Sequence, residues 1–306
     1  MNVGRKTTMS ALRAPVRKLL ATIMLLMFVT IAPLHGEEDS PFADFFGSSV
    51  DFRGETLSYT DFKDGSAEVA VGSQALGVSY KGLSLRHRIS SYRWRDEEAI
   101  AFSDGSSEPW GELHDLSLSY LTGYPIREGL ILIGRIRANT GFERQISRSF
   151  GAGMELSLLR QFSEKWSASI GVGGGYHPLR SRVLPALSLR YDDAEDSGFS
   201  AAVGMPTHLR YRISDNLLAD IGVSLASGTY RLKDNSPVSE KGYFRHRAIA
   251  PGAGLVYKPT DEFTLSAGAL YYFDRQWRIY DRDRSRISSK RLDSGPGFTI
   301  SASWNF

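Results

Sequence analysis

The sequence ends in Gly297-Phe-Thr-Ile-Ser-Ala-Ser-Trp-Asn-Phe306, where apolar and small polar residues alternate without a break. Successive side chains of a β-strand point to opposite faces, so this stretch separates into two faces. One is apolar and holds Phe298, Ile300, Ala302, Trp304 and Phe306; the other is polar and holds Thr299, Ser301, Ser303 and Asn305. The stretch therefore predicts a terminal strand that lies between an apolar and a polar environment.

The first 36 residues have the three regions of a cleavable secretory signal. Basic residues between Arg5 and Lys18 precede an uncharged run over 19–31, and the small Gly36 follows it. The run is too short for a spanning helix, which needs roughly 20 residues. We expect the mature chain to begin with an acidic periplasmic segment over 37–49, followed by the remaining domain over 50–306.

The overall basic charge comes from the predicted signal. The chain has 37 Lys+Arg and 34 Asp+Glu, and residues 1–36 contain five of the basic residues and none of the acidic ones. The mature chain then has 32 basic and 34 acidic residues, a net charge of −2, which gives no indication of a nucleic-acid partner. There is no cysteine, so disulfides and thiolate metal sites are excluded.

Period-two segments fill the rest of the chain, and no stretch has a convincing helical period. They lie at 50–60, 67–79, 83–94, 113–123, 129–140, 150–162, 166–176, 183–191, 198–213, 217–232, 243–257, 263–280 and 297–306. Periodicity alone does not separate a membrane barrel from a soluble sandwich. The signal and the terminal aromatic residue favour an all-β transmembrane antiparallel barrel.

The terminal strand resembles the closing strand of Gram-negative outer-membrane β-barrels, whose C-terminal signature, here Trp304 and Phe306, is read by the barrel assembly machinery. This resemblance implies the cell outer membrane as location, with its lipid and that machinery as partners. Val203–Pro206, 208–215 and 271–280 also resemble an uncharacterised family of outer-membrane barrels, a domain of unknown function. That family offers no catalytic residues to carry over.

Short polar turns at 80–83, 163–166, 214–217 and 260–263 predict tight hairpins on the periplasmic side. Longer connections at 95–112, 233–242 and 281–296 are then expected to be extracellular. Turns on one side must be separated by an even number of strands, yet three segments lie between 163 and 214. Either segment 198–213 breaks at Met205-Pro206, giving 14 strands, or one segment does not span, giving 12. Both termini are periplasmic in either case.

Four pairs of arginines at spacing two are the strongest candidate site. A charge facing lipid at the membrane midplane costs roughly 2 to 4 kcal/mol, so we expect the arginines to face the lumen. Asp115, Glu155 and Asp220 have the same phase and are the expected acidic partners. The basic pairs are Arg86 and Arg88, Arg135 and Arg137, Arg210 and Arg212, and Arg245 and Arg247.

Two interpretations of these arginines remain open. They either pair with the acidic residues and close the lumen, or form a basic constriction that attracts small anionic solutes. The five mature histidines lack metal-ligand spacing, and we expect no metal, cofactor or catalytic residue. The leading function is a passive pore or a structural envelope protein. The alternatives are a surface enzyme of lipase or protease type and an adhesin or receptor built on the long loops.

Overall fold

The computed structural model describes residues 47–306, except 64, 97–101, 103–107, 195–196 and 205–206. Within this part the chain forms fifteen β-strands, almost all paired antiparallel. They are β1 Ser49–Asp61, β2 Glu68–Tyr80, β3 Leu83–Arg95, β4 Glu112–Arg127, β5 Leu130–Phe142, β6 Phe150–Gln161, β7 Trp166–Tyr176, β8 Arg182–Asp193, β9 Phe199–Val203, β10 Thr207–Ser214, β11 Leu217–Arg231, β12 Tyr243–Tyr257, β13 Phe263–Tyr280, β14 Arg286–Arg291 and β15 Gly295–Asn305.

The strands close into a barrel of fourteen positions. Each strand from β1 to β13 pairs with its neighbour in sequence, β15 pairs with both β1 and β13, and the β12–β13 pairing completes the circle. β14 pairs only with the C-terminal part of β13, Gln276–Tyr280, and β15 pairs with the preceding part of the same strand. β14 and β15 therefore occupy one position around the barrel. The predicted all-β antiparallel barrel is confirmed, with fourteen strands rather than twelve.

The predicted break in segment 198–213 is the reason for the larger number. β9 ends at Val203 and β10 begins at Thr207, and the two pair with each other antiparallel. Residues 205 and 206, where we expected the break, lie outside the described residues. The segment thus supplies two strands, which places four strands between the turns at 163 and 214.

The four short turns lie at one end of the barrel, together with Ser49 and Asn305, as the strand order requires. We call this the terminal end and the opposite one the loop end. That the terminal end faces the periplasm stays a prediction. One expected loop is different, since residues 281–296 include strand β14. This strand was not predicted because the alternation of its residues is too short.

Large apolar side chains cover the outer wall. Ile136, Ile170 and Leu187 are each about 60% exposed, at 60%, 63% and 62%. Such an outward apolar surface is typical of barrels surrounded by lipid. Within the described residues, no helix is long and apolar enough to cross a bilayer.

The wall has a gap on one side. β9 has five residues and β10 eight, whereas β8 has twelve and β11 fifteen. Pairing of β8 with β9 starts at Leu189, and pairing of β10 with β11 stops at Val223. In the described part of the chain, residues 182–188 of β8 and 224–228 of β11 therefore lack a strand on that side, and from Thr229 onward β11 lies against Gly141 of β5. We call this opening the lateral gap.

Beyond the gap, the free edge of β11 reaches β5. Arg231 and Phe142 form a parallel bridge, and the Glu143 N–H donates to the Arg231 carbonyl at 2.9 Å. The loop end thereby closes into a smaller ring of strands β1–β5 and β11–β14. The loop-end parts of β6, β7 and β8, residues 150–156, 171–176 and 182–188, stay outside this ring, and we call them the flap.

An aromatic core fills the ring. Trp110 and Phe244 are fully buried, with ring centroids 4.3 Å apart, and the Trp94 indole N–H donates to the Trp110 carbonyl at 2.9 Å. The core closes the barrel axis at the loop end. Its buried members are Phe62, Ala67, Val69, Tyr92, Trp94, Trp110, Leu113, Tyr230, Leu232, Val238, Phe244, Trp277, Ile279 and Leu292.

Candidate functional site

On the terminal-end side of the ring, charged side chains project into the barrel interior. Arg135 and Glu155 occupy paired positions on β5 and β6, with 3.9 Å between Nη1 and Oε2. Arg210 and Asp220 are paired across β10 and β11 at 2.5 Å. The two arginine side chains remain 51% and 47% exposed. The interior at this level is therefore wide enough for water to reach its charges.

A second group surrounds Asp115. Arg88 lies opposite Asp115 in the β3–β4 register, and the charges of Arg86, Arg88 and Arg137 all interact with that carboxylate. Among the described residues, none of these three arginines has a carboxylate within 4.0 Å. Asp51 also interacts with Arg86, but arginine still outnumbers acid here, so positive charge is left facing the lumen. Arg212 shares the face of Arg210 and lies opposite Leu218.

Arg245 and Arg247 do not face the lumen, and this expectation is corrected. Their neighbours Phe244 and His246 point inward and stack at 5.9 Å between ring centroids in the ring core. Strand alternation places both arginines on the outer face of β12, where Arg247 pairs with Asp274 at 3.0 Å. The prediction assumed that the charged face of each strand faces the lumen. At the loop end the apolar face is the inner one, so the charged face points outward.

The outer face of β12 is covered by the flap and its loops. Tyr243, which is 2% exposed, donates its hydroxyl to the Arg148 carbonyl at 3.0 Å. Arg182, at the start of β8, interacts electrostatically with Arg245 and Arg247. In the β7–β8 loop, burial and then the Arg245 charge lower the pKa of His177 to about 4. A cleft therefore separates the flap from the ring, with arginines on both walls.

Several interior charges lie on β1 and β8, at positions for which no role was predicted from the sequence. Arg53 pairs with Glu55 at 3.2 Å, and Tyr272 also donates to Glu55. Arg190 pairs with Asp192 at 2.6 Å. Both pairs have the spacing of two that identified the arginine rungs, so a search for mixed-charge pairs at that spacing would have found them.

Glycines of β7 and two histidines of the outer wall have structural roles in the described residues. The glycines at 171, 173 and 175 lie within β7, and a Cβ on Gly171 would come within 2.4 Å of the Leu156 carbonyl oxygen, so close strand packing accounts for them. His87 and His114 stack on the outer wall, with ring nitrogens 3.4 Å apart. In the described ranges, no three His, Asp or Glu side chains are grouped to hold a metal ion.

The chain ends lie at the terminal end. Trp304 and Phe306 are 59% and 67% exposed, and the Phe306 N–H donates to the Ser48 carbonyl at 2.9 Å. The last residue is thus attached to the first strand across the barrel closure. The expected signal over 1–36, and most of the expected acidic segment over 37–49, lie outside the described residues.

No family model and no curated protein matches this chain. Among solved structures it is similar to the KdgM porin, at 9% identity and a TM-score of 0.34, covering 84% of this chain and 99% of that one. It is similar to the NanC porin at 12% identity and a TM-score of 0.37, covering 84% and 100%.

A third similar structure is an outer membrane channel from Pseudomonas putida F1, at 13% identity and a TM-score of 0.41, covering 88% of this chain and 100% of that one. Similarity at this level assigns no solute and no mechanism. The strand order and the apolar outer wall of the chain itself define it as a closed, fourteen-stranded antiparallel β-barrel of the outer-membrane type.

Proposed function

We propose that this protein is a passive channel for small anionic solutes in the outer membrane of a Gram-negative cell, after removal of the signal over residues 1–36. The observation that supports this proposal is the solvated positive wall below the ring. Arg135 and Arg210 remain half exposed although they lie inside a closed barrel, and a buried structural network would have excluded water from them.

The net charge of this wall is positive because arginines outnumber acidic residues. Arg86, Arg88 and Arg137 interact with Asp115, and Arg86 also interacts with Asp51, but among the described residues none of the three has a carboxylate within 4.0 Å. Charge of one sign within low-dielectric walls concentrates counter-ions, and charged side-chain rings select ions in pores. The solute path begins at the terminal end and, because the aromatic core closes the axis, continues into the cleft between flap and ring.

Single-channel recording in planar bilayers with a salt gradient tests the proposal. Arg137→Gln removes a charge without breaking an ion pair, so it should reduce anion preference while heat stability changes little. Arg210→Gln is the matched variant: it leaves Asp220 without its partner at 2.5 Å and should lower stability as well. The selectivity of wild type should fall as salt rises, since the Debye length shortens from about 10 Å at 0.1 M to about 3 Å at 1 M.

A structural envelope role is the second candidate. The interior pairs Arg53–Glu55, Arg135–Glu155 and Arg210–Asp220 favour it, because they join neighbouring positions of the wall as a closed lumen would require. A correctly folded, heat-modifiable barrel that conducts no ions in the bilayer would establish this role and contradict the channel.

A further inference from the structure

The lateral gap is tall enough to admit a molecule from the side. Seven residues of β8, 182–188, correspond to about 23 Å at roughly 3.3 Å per residue, and five of β11, 224–228, correspond to about 17 Å. The short strands β9 and β10 form its border on the side of the terminal end. The gap opens into the cleft between the flap and the ring, so it connects that cleft with the side of the barrel.

The outer border of the gap is apolar. Val183 and Leu187 on β8 are 75% and 62% exposed, and Leu225 on β11 is 55% exposed. Side chains of this kind lie against lipid chains on the outer wall of a barrel. The gap therefore lies at the level of the hydrocarbon on these two strands, not above the membrane.

Lipid tails alone cannot fill the gap. The facing edges of β8 and β11 present backbone N–H and C=O groups that no described strand satisfies. Such groups in hydrocarbon cost several kcal/mol each. The cleft behind the edges must therefore hold water or a ligand with polar groups, while its border contacts lipid chains.

The inside of the cleft is basic. Arg182 on the flap and Arg245 on the ring interact electrostatically, and within the described residues neither has a carboxylate within 4.0 Å. Arg180 and Arg247 add further positive charge to Arg182, so this side of the cleft attracts anions. Leu184, one rung along the inner face of β8, is 58% exposed and adds an apolar contact.

We propose that the lateral gap binds an amphiphile with a compact anionic head and a single alkyl chain. The head lies between Arg182 and Arg245, and the chain passes Leu184 and leaves through the gap into the bilayer. This inference rests on the proposed function and specifies its solute: the charged lumen delivers or receives the head, while the chain stays in lipid. A guanidinium pair suits a carboxylate or a phosphate, since each offers two oxygens to the arginine fork.

Spin-labelled dodecanoate in proteoliposomes of the full-length barrel tests this site by electron paramagnetic resonance. We expect a saturable immobilised fraction with wild type. Arg182→Gln and Arg245→Gln should each weaken binding about tenfold, the effect of losing one charge-assisted hydrogen bond. Arg286→Gln, which changes an exposed arginine on β14, is the matched control and should bind as wild type does.

Two further probes show whether binding depends on the anionic head, and whether the ligand is a single-chain molecule or a membrane phospholipid. The spin-labelled trimethylammonium analogue of the same chain should show no saturable fraction, and competition by dodecyl phosphate or by phosphatidylglycerol distinguishes a single-chain ligand from a membrane phospholipid. Equal immobilisation of the cationic analogue, or unchanged binding in both arginine variants, would overturn the proposal. Competition by phosphatidylglycerol alone would also overturn it, since the site would then take a two-chain lipid.

Conductance on the same preparations keeps the two proposals apart. Anion-selective currents without saturable dodecanoate binding would refute the lateral site and leave the channel intact. Saturable, arginine-dependent binding in a barrel that passes no current would refute the channel and leave the lateral site.

Discussion

The Glu143 N–H donates to the Arg231 carbonyl, and this hydrogen bond joins β5 to β11, which are separated by five strands in the lower barrel. The Glu143 side chain strengthens the same junction: its carboxylate accepts from the Lys233 N–H at 2.9 Å and pairs with Lys233 Nζ at 3.4 Å. A barrel of fourteen strands is thus narrowed at one end by contacts between two non-neighbouring strands.

Removing the Glu143 carboxylate should open this junction. The side chain is 6% exposed, so Glu143→Ala leaves the Lys233 charge partly buried without its partner, and such a loss destabilises by roughly 3 to 5 kcal/mol. The measurement is the temperature at which the barrel loses its compact migration on gels. Glu240→Ala, at an exposed pair with Lys241, should change stability by less than about 1 kcal/mol. Equal effects of the two variants would contradict the role of the junction.

A methyl group at Gly141 should prevent β5 from approaching β11. A Cβ there would come within 2.1 Å of the Thr229 carbonyl oxygen, whereas a Cβ at Gly72 meets nothing within 4 Å. We expect Gly141→Ala to destabilise by about 1 to 3 kcal/mol, as overpacking does, and Gly72→Ala to be neutral. Chemical denaturation in detergent compares them, and a neutral Gly141→Ala would mean that the two strands separate without cost.

Acidification should loosen the flap through His177. Burial, and next the Arg245 charge, lower its pKa from 6.5 to about 4, and its Nδ1 accepts from the Leu179 N–H at 3.2 Å. The unfolded chain then binds a proton that the folded chain does not, so stability falls as pH drops from about 6.5 to about 4. His177→Gln should flatten the profile in this range.

Nuclear magnetic resonance titration of the His177 ring checks the cause. Arg245→Gln should raise the His177 pKa only part of the way toward 6.5, because burial is the larger contribution. A wild-type value near 6.5 would contradict the buried position of the loop against β12.

Single cysteines test the orientation of the barrel in a chain that has none of its own. Asn235→Cys and Asp283→Cys lie in exposed loop-end positions, and Glu164→Cys and Asn216→Cys lie in exposed turns of the terminal end. With a periplasmic terminal end, an impermeant maleimide should label only the first two on intact cells. Labelling at Asn216→Cys before lysis, and none at Asn235→Cys, would reverse the orientation.

Deleting Phe306 should impair assembly but not secretion. Its backbone N–H bonds to Ser48 across the closure, and its ring is 67% exposed, so the residue is available to a partner while it also holds the last strand to the first. We expect lower recovery in the outer-membrane fraction, with periplasmic accumulation. Phe306→Tyr is the conservative control and should assemble normally; full assembly of the deletion variant would exclude the terminal residue as a signal.

Strand positions were predictable from the sequence because period-two alternation is local. Segments 166–176, 243–257 and 263–280 match β7, β12 and β13 at both ends. Alternation also divides each strand into two faces, but it does not say which face is inside. On β3 the apolar series changes from Leu83 and Leu85 to Tyr92 and Trp94, which have the opposite parity, and that switch marks the passage from lipid-facing to core-facing residues.

The junction of β5 with β11 could not be predicted. It is a single parallel bridge between strands distant in sequence, and one pair of residues produces no periodic signal. The phase of Arg245 and Arg247 was wrong for a related reason: on β12 the inner face is apolar near Phe244, so the rule that charge faces the lumen does not apply within the ring.

The aromatic core divides the tryptophans of the chain into two sets. Trp94, Trp110 and Trp277 lie in the ring, where each is at most 7% exposed, and Trp166 and Trp304 lie at the terminal end, 44% and 59% exposed. These are the five tryptophans of the sequence. Intrinsic fluorescence therefore reports the two ends separately, with brominated lipid quenching the emission of the second set and sparing the first.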